Sequence, residues 1–285
     1  MTYSSVWTGL ENVSFCQRWI DVNGARTRFL ATGLEADHPS LIFLHGIGGS
    51  AEDYCRNLGP HSRHFRTFAL DMIGHGWTDK PDLRMDIPVY VDHLVRFLDV
   101  KKIDKAHISG EALGGRVAAR FALEHPDRID RLVLNSVASA IPDRDGFAQF
   151  AELFQRAVEN PNWSSIEAML KWSLAVPEQV NGDLIAIHEA IYSSVGFKQA
   201  MKNTLALTTD SDEGGLQSPE DWQGIKAPTL VLGTTHNPLS SMRGGHEISA
   251  RIPGAVFVVM ENCGRWPQFE DARRFNSLHI DFLMS

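Results

Sequence analysis

Three cysteines in 285 residues, Cys16, Cys55 and Cys263, are too few and too unevenly spaced for a disulfide framework. They read as reduced thiols of a cytoplasmic protein, buried as small hydrophobes. No window approaches the roughly 18 consecutive apolar residues of a membrane span. Met1-Thr2-Tyr3-Ser4-Ser5 has neither the basic nor the apolar region of a secretory leader. Positive charge is also short. Against 35 Asp and Glu stand 27 Lys and Arg, a net charge of −8, which leaves no basic footprint for nucleic acid. There is no His-x-x-x-His or Cys-x-x-Cys for a metal, and no Gly-x-Gly-x-x-Gly or P-loop for a nucleotide. The expectation is therefore no metal, no cofactor and no membrane. A small-molecule substrate is the expected partner, and a homodimer stays open.

What the chain does have is an alternation of strand and helix signals. Arg26–Ala31, after the turn Val22-Asn23-Gly24, reads as an edge strand. Ser40–His45 is a nearly continuous apolar run, the pattern of a strand buried on both faces. Phe65–Asp71, Ala106–Gly110 and Arg131–Asn135 read as further strands. Helices are expected at Val89–Leu98 and at Gly115–His125, the latter stopped by Pro126. From about Pro142 to Leu207 the chain is helical and amphipathic, with apolar faces on Phe147–Val158 and Ile166–Leu174. Strands then return at Thr229–Gly233 and Ala255–Met260, with helices near Arg243–Arg251 and Ala272–Met284. The pattern predicts a doubly wound, mostly parallel α/β sheet in residues 1–138 and 208–285. Residues 139–207 are expected to form a helical cap over the carboxyl ends of the strands, where such sheets bind ligands.

One local pattern carries chemistry. Gly110-Glu111-Ala112-Leu113-Gly114 joins a strand to a helix, the setting of a nucleophile elbow. Its glycines let the backbone turn sharply against its neighbours. Upstream, His45-Gly46-Ile47-Gly48-Gly49 has the form of an oxyanion loop, so the N–H groups of Ile47 and Leu113 are candidate oxyanion donors. Asp71-Met72-Ile73-Gly74-His75-Gly76 closes the next strand. Each piece alone is common; their order on successive strand ends is not.

On these motifs and on Cys263-Gly264-Arg265-Trp266-Pro267-Gln268-Phe269-Glu270, the chain resembles α/β-hydrolases, in the branch of the meta-cleavage-product (carbon–carbon bond) hydrolases and related esterases. The resemblance runs from about Phe29 to Leu283 and implies an α/β-hydrolase fold with an inserted cap. It also implies a Ser, Asp and His triad in that chain order, and here all three positions have changed. The nucleophile position is Ala112, with no lone pair for attack. The acid position, after the strand that follows the cap, is Asn237, which cannot stabilise an imidazolium by charge. The base position is Arg265, which stays protonated. The resemblance further implies a cap arginine for a dienoate carboxylate, but Leu184–Ile191 has none and His188 stands as the substitute.

Other candidates follow from position. Glu111, beside the alanine, could act as an acid or base if desolvated, or pair with a basic neighbour. His236 lies on the loop of the acid position. Arg265 could clamp a carboxylate, phenolate or enolate, or turn to Glu111, Glu261 or Glu270 instead. His45 and Gly48 are placed at the substrate, although the commoner role of His45 is structural. Trp163, Trp172, Tyr192, Trp266 and Phe269 would wall an aromatic or alicyclic ligand. Ser109 reads as a buried structural serine, and Asp143 and Asp145 as a solvated hinge.

The resulting expectation is a small-molecule enzyme of aromatic compound metabolism with a degenerate triad. Its chemistry would be of lyase, decarboxylase, isomerase or cyclase type, on an apolar cyclic substrate bearing an anionic or carbonyl group. Two alternatives stay open: an inactivated variant of a carbon–carbon or ester hydrolase, and a non-catalytic ligand-binding protein.

Overall fold

Strands buried at every position must be covered on both sides, and Ser40–Leu44, Ala106–Glu111 and Thr229–Thr234 meet that condition. They are inner strands of one eight-stranded sheet in the computed structural model, which describes residues 5–137, 144–209, 218–239 and 242–285. In chain order the strands are β1 Phe15–Val22, β2 Ala25–Thr32, β3 Ser40–Leu44, β4 Arg66–Leu70, β5 Ala106–Glu111, β6 Ile129–Asn135, β7 Thr229–Thr234 and β8 Val256–Met260. Across the sheet the order is β1-β2-β4-β3-β5-β6-β7-β8. The pairs β1·β2 and β2·β4 are antiparallel, and β4 through β8 run parallel.

Helices cover both faces. Those of the core are α1 Cys55–His61, α2 Ile87–Val100 and α3 Leu113–Glu124, and α8 to α11 follow further on. Between β6 and β7 lie α4 Arg144–Glu159, α5 Trp163–Ser173, α6 Gly182–Tyr192 and α7 Phe197–Thr209. The chain closes with α8 Pro219–Gln223, α9 Met242–Arg251, α10 Pro267–Glu270 and α11 Ala272–Met284. Local chemistry sets several ends. Asp86 caps α2 by accepting the Val89 N–H at 3.0 Å, with Pro88 in the first turn, where a missing N–H costs nothing. Pro126 stops the chain just past α3.

One sheet face packs on α2, α3 and α9 through Phe29, Phe68, Phe97, Val117, Phe121 and Ile248. The other packs on α1 and α11 through Phe43, Tyr54, Leu58 and Phe275. A separate cluster holds α4 to α7 together, built on Phe154, Ile166, Leu184 and Tyr192, and joined from the core side by Trp266 and Phe269. No helix among the described residues is long and apolar enough to cross a membrane.

The strand reading needs one correction. Arg26–Ala31 belongs to β2, which is not an edge: β1 lies outside it, paired from Phe15↔Thr32 to Val22↔Ala25. The sequence Phe-Cys-Gln-Arg-Trp-Ile-Asp-Val of β1 is largely exposed and mixed in polarity, so it carries no strong period. The expected start of the insertion at residue 139, and Asp143, lie outside the described residues, and nothing is described of the Asp145 side chain.

Candidate functional site

In the sheet order, β3 is flanked by β4 on one side and β5 on the other. The connections leaving β3 and β5 therefore diverge, and a crevice opens at their carboxyl ends. The loop His45–Ser50 and the turn at Ala112 form its floor. Ala112 has φ 45° and ψ −106°, a backbone state that costs an L residue about 1–3 kcal/mol. It is held there by the Ala112 N–H donating to Asn135 O at 3.0 Å and the Gly114 N–H donating to His45 O at 3.1 Å. Side chains are excluded on both sides of the turn. A Cβ on Gly110 would lie 2.2 Å from Gly114 O, and one on Gly114 would lie 2.3 Å from Leu44 O.

Above this turn is a pocket of about 110 Å³, of the order that accepts one benzene ring. Ala112, Asn237 and Arg265 all line it, with Ile47, Leu113 and Phe150. Neither the Ile47 N–H nor the Leu113 N–H has an acceptor among the described residues. Asn237 follows β7 and is half-buried, its Oδ1 accepting the Leu239 N–H at 2.9 Å. Arg265 is only 4 % exposed. Its backbone N–H donates to Ser173 O, its Nε donates to Glu111 Oε1 at 3.2 Å, and its guanidinium lies 4.8 Å from the Phe150 ring centre. No other side-chain hydrogen bond of Arg265 is formed among the described residues, so its two Nη groups remain for a ligand. Glu111 is both paired with a basic neighbour and desolvated. Among the described residues its Oε2 has no side-chain partner and lies against the Gly46 backbone, whose N–H also draws the carboxyl down. Burial pushes the Glu111 carboxyl up, Arg265 pulls it down, and the net direction is up.

A narrower chamber adjoins the first and shares Ile47, Phe150 and Arg265 with it. Gly48, His188, Tyr192 and Trp266 also line it, so these four expected residues come together. His188 donates from Nδ1 to Leu184 O at 2.9 Å, and its Nε2 lies 4.0 Å from Asp53 Oδ1. Burial lowers the His188 imidazole, while burial and the charge of Glu111 raise the Asp53 carboxyl well above the usual range.

The structure corrects four placements. His236 is exposed, because its N–H donates to Cys263 O and its ring turns to Thr235 Oγ1 at 2.8 Å. Trp163 begins α5 and is 47 % exposed, away from the pocket. Trp172 is half-buried and backs the wall only through Phe150, 5.9 Å away. His45 has no nitrogen left for a ligand: Nδ1 donates to Gly46 O at 2.7 Å, and Nε2 accepts the Met72 N–H at 3.1 Å. Ser109 is the structural serine expected, hydrogen-bonded to His279 Nε2 at 2.9 Å. Two residues were missed. Phe150 reads as ordinary core of an amphipathic helix, and Asp53 as an ordinary acid in a first helical turn, where acids are common.

Comparison with known proteins bears on the fold. The sequence pattern described as "alpha/beta hydrolase fold" matches residues 39–272. The chain is 28 % identical over 272 residues to a 2-hydroxymuconate semialdehyde hydrolase of Pseudomonas sp. (strain CF600), covering 93 % of each chain. It is 24 % identical over 284 residues to carboxylesterase YbfK of Bacillus subtilis (strain 168), covering 98 % of this chain and 90 % of the other. Among solved structures, the 2-hydroxy-6-oxo-6-phenylhexa-2,4-dienoate hydrolase of Rhodococcus sp. strain RHA1 superposes with a TM-score of 0.83. At 18 % identity, over 96 % of this chain and 100 % of that one, this is a likeness of fold.

Proposed function

The chain belongs to the α/β-hydrolase fold family, and on that scaffold we propose a small-molecule enzyme that works without an acyl-enzyme intermediate. Ala112, Asn237 and Arg265 stand where the family has its nucleophile, acid and base. The observation that carries this reading is that all three line one pocket together with Ile47 and Leu113. A methyl group has no lone pair to attack a carbonyl, an amide carries no charge to support an imidazolium, and a guanidinium does not give up its proton. What remains is an anion clamp facing two backbone donors. Helices α4 to α7 act as the cap that keeps water from the pocket.

Such a site takes an apolar, cyclic or aromatic ligand with a carboxylate or enolate on Arg265 and a carbonyl or developing oxyanion on Ile47 and Leu113. The carboxylate of the dienoate and the carbonyl of the semialdehyde in the relatives' names are groups of the kind such a clamp and such donors take. Lyase, decarboxylase, isomerase or cyclase chemistry needs charge stabilisation there and no covalent nucleophile.

The test pairs binding with a rebuilt triad. Benzoate is expected to bind the unaltered protein, and Arg265→Ala to weaken it by at least about tenfold, a change of some 1.4 kcal/mol. The unaltered protein is expected to give no burst of p-nitrophenolate from p-nitrophenyl acetate, and the Ala112→Ser, Asn237→Asp, Arg265→His variant to give one. A burst from the unaltered protein, or benzoate affinity indifferent to Arg265, overturns the reading.

A further inference from the structure

Arg265 lies in a loop whose backbone is fastened as well as its side chain, and the fastening acid is Glu270. Glu270 does not pair with the Arg265 guanidinium. It is half-buried at the end of α10, and its Oε1 accepts the N–H groups on either side of Arg265, from Gly264 at 2.8 Å and from Trp266 at 3.1 Å. Trp266 precedes a helical turn that opens on Pro267, so an acid in that turn reaching back to its N–H resembles the acid half of a capping box. The bond to Gly264 lies outside the turn, and capping does not account for it.

The other oxygen reaches the cap. Glu270 Oε2 accepts the Ala175 N–H at 2.7 Å, two residues past the end of α5. The Arg265 N–H donates to O of Ser173, the last residue of α5, at 2.9 Å. One carboxylate and one carbonyl therefore take the amides of Gly264, Arg265, Trp266 and Ala175. The two segments are in close contact: a Cβ on Gly264 would lie 2.7 Å from both Ala175 N and Ser173 O. A second tie runs beside the first. Gln179, further along the cap, donates from Nε2 to Glu270 O at 3.2 Å, while Arg56 on α1 donates to Gln179 Oε1 at 3.3 Å and to Phe269 O at 2.5 Å. A carboxylate suits this junction because both its oxygens accept, whereas an amide has one oxygen and a donor group that would face an N–H.

We propose that Glu270 is a positioning residue that fastens the end of α5 to the Arg265 loop, so that the clamp is set only while the cap is seated. The proposal rests on the anion-clamp reading given above. With its backbone held by Glu270 and Ser173 and its Nε by Glu111, Arg265 has few arrangements left to lose when an anion arrives. That saving is what Glu270 contributes to affinity. Release of its carboxylate frees the loop and the end of α5 together.

The test is a double-mutant cycle read by calorimetric titration of the full chain with benzoate. Glu270→Gln is expected to weaken benzoate about fivefold on its own and less than about twofold where Arg265→Ala is already present, because the loss passes through the arginine. A residue that only stabilises the fold would act alike in both backgrounds. A second measurement needs no variant: amide hydrogen exchange of the unaltered protein with and without benzoate. Exchange at Gly264, Trp266 and Ala175 is expected to slow together on binding. Benzoate affinity that depends on Arg265 but is untouched by Glu270→Gln, or is weakened alike with and without Arg265, overturns the positioning role and leaves the clamp. So does benzoate binding with no slowing at Ala175. Benzoate affinity indifferent to Arg265, or no binding at all, overturns both.

Discussion

Two buried arginine–carboxylate pairs in this chain reach opposite electrostatic outcomes. Arg28 sits on β2 and meets Glu52 with both ends of its fork, Nη1 to Oε2 at 2.9 Å and Nη2 to Oε1 at 2.5 Å. Its Nε donates to Gln17 and its Nη1 also to Asp71, at 2.8 and 3.1 Å. Asp71 in turn accepts the Ala51 and Trp77 N–H groups, and Glu52 accepts the Ser50 hydroxyl. Arg265 offers Glu111 only its Nε, and among the described residues the second carboxylate oxygen has no side-chain partner. Burial raises both glutamates. Arg28 more than reverses that for Glu52, whose carboxyl ends below its usual value, whereas Arg265 fails to reverse it for Glu111. A closed network is scaffold. An open one, beside a pocket, is where a ligand can complete the hydrogen bonding.

The contrast is broken most severely at Arg28. Arg28→Ala leaves Glu52 and Asp71 buried without their cation, and unfolding in urea is expected to show a loss of about 3–5 kcal/mol. Next comes a third buried string, Ser109–His279–His61–Asn57 O, linked at 2.9, 3.0 and 2.7 Å. Burial holds His61 down at about 4 and His279 well below its usual value. A folded-state value below the unfolded one means that the unfolded chain binds more protons in acid. The contribution of His61 is therefore complete above about pH 6.5 and lost as pH falls toward about 4, amounting to about 3 kcal/mol at the lower end. His279→Gln is expected to flatten that acid-side slope in urea titrations, and an unchanged slope would place the acid sensitivity elsewhere. The smallest effect is expected at Arg265. Arg265→Ala should cost about 1–2 kcal/mol at neutral pH, because Glu111 can take up a proton instead of staying charged. Its folded-state carboxyl is then raised further, so the deficit should shrink as pH falls and grow as it rises. A deficit as large as that of Arg28→Ala would remove the distinction between the two pairs.

The elbow was legible because its constraints are local. Gly110 and Gly114 are required by backbone contacts within a few residues and with the adjoining strand, and Ala112 can be read as lacking a nucleophile wherever it points. The inner strands β3, β5 and β7 were legible from their apolar runs, and α11 was placed with the bounds the structure gives it. β1 was not, because an exposed edge strand keeps no apolar period. The directions of His236 and Trp163 were not either: a loop histidine and a tryptophan in the first turn of a helix give no periodic clue to the side they face.

By itself, then, the sequence determined the alternation of strand and helix, the turn at Ala112 and the absence there of a hydroxyl. All of these follow from short-range sterics and periodicity. Only the tertiary structure decided which buried carboxylate is satisfied and which is left open. Asp53 and His188 carry no shared motif, yet packing of α6 over the oxyanion loop brings His188 Nε2 to 4.0 Å from Asp53 Oδ1. Desolvation and hydrogen bonding depend on neighbours far along the chain, and those neighbours are chosen by folding.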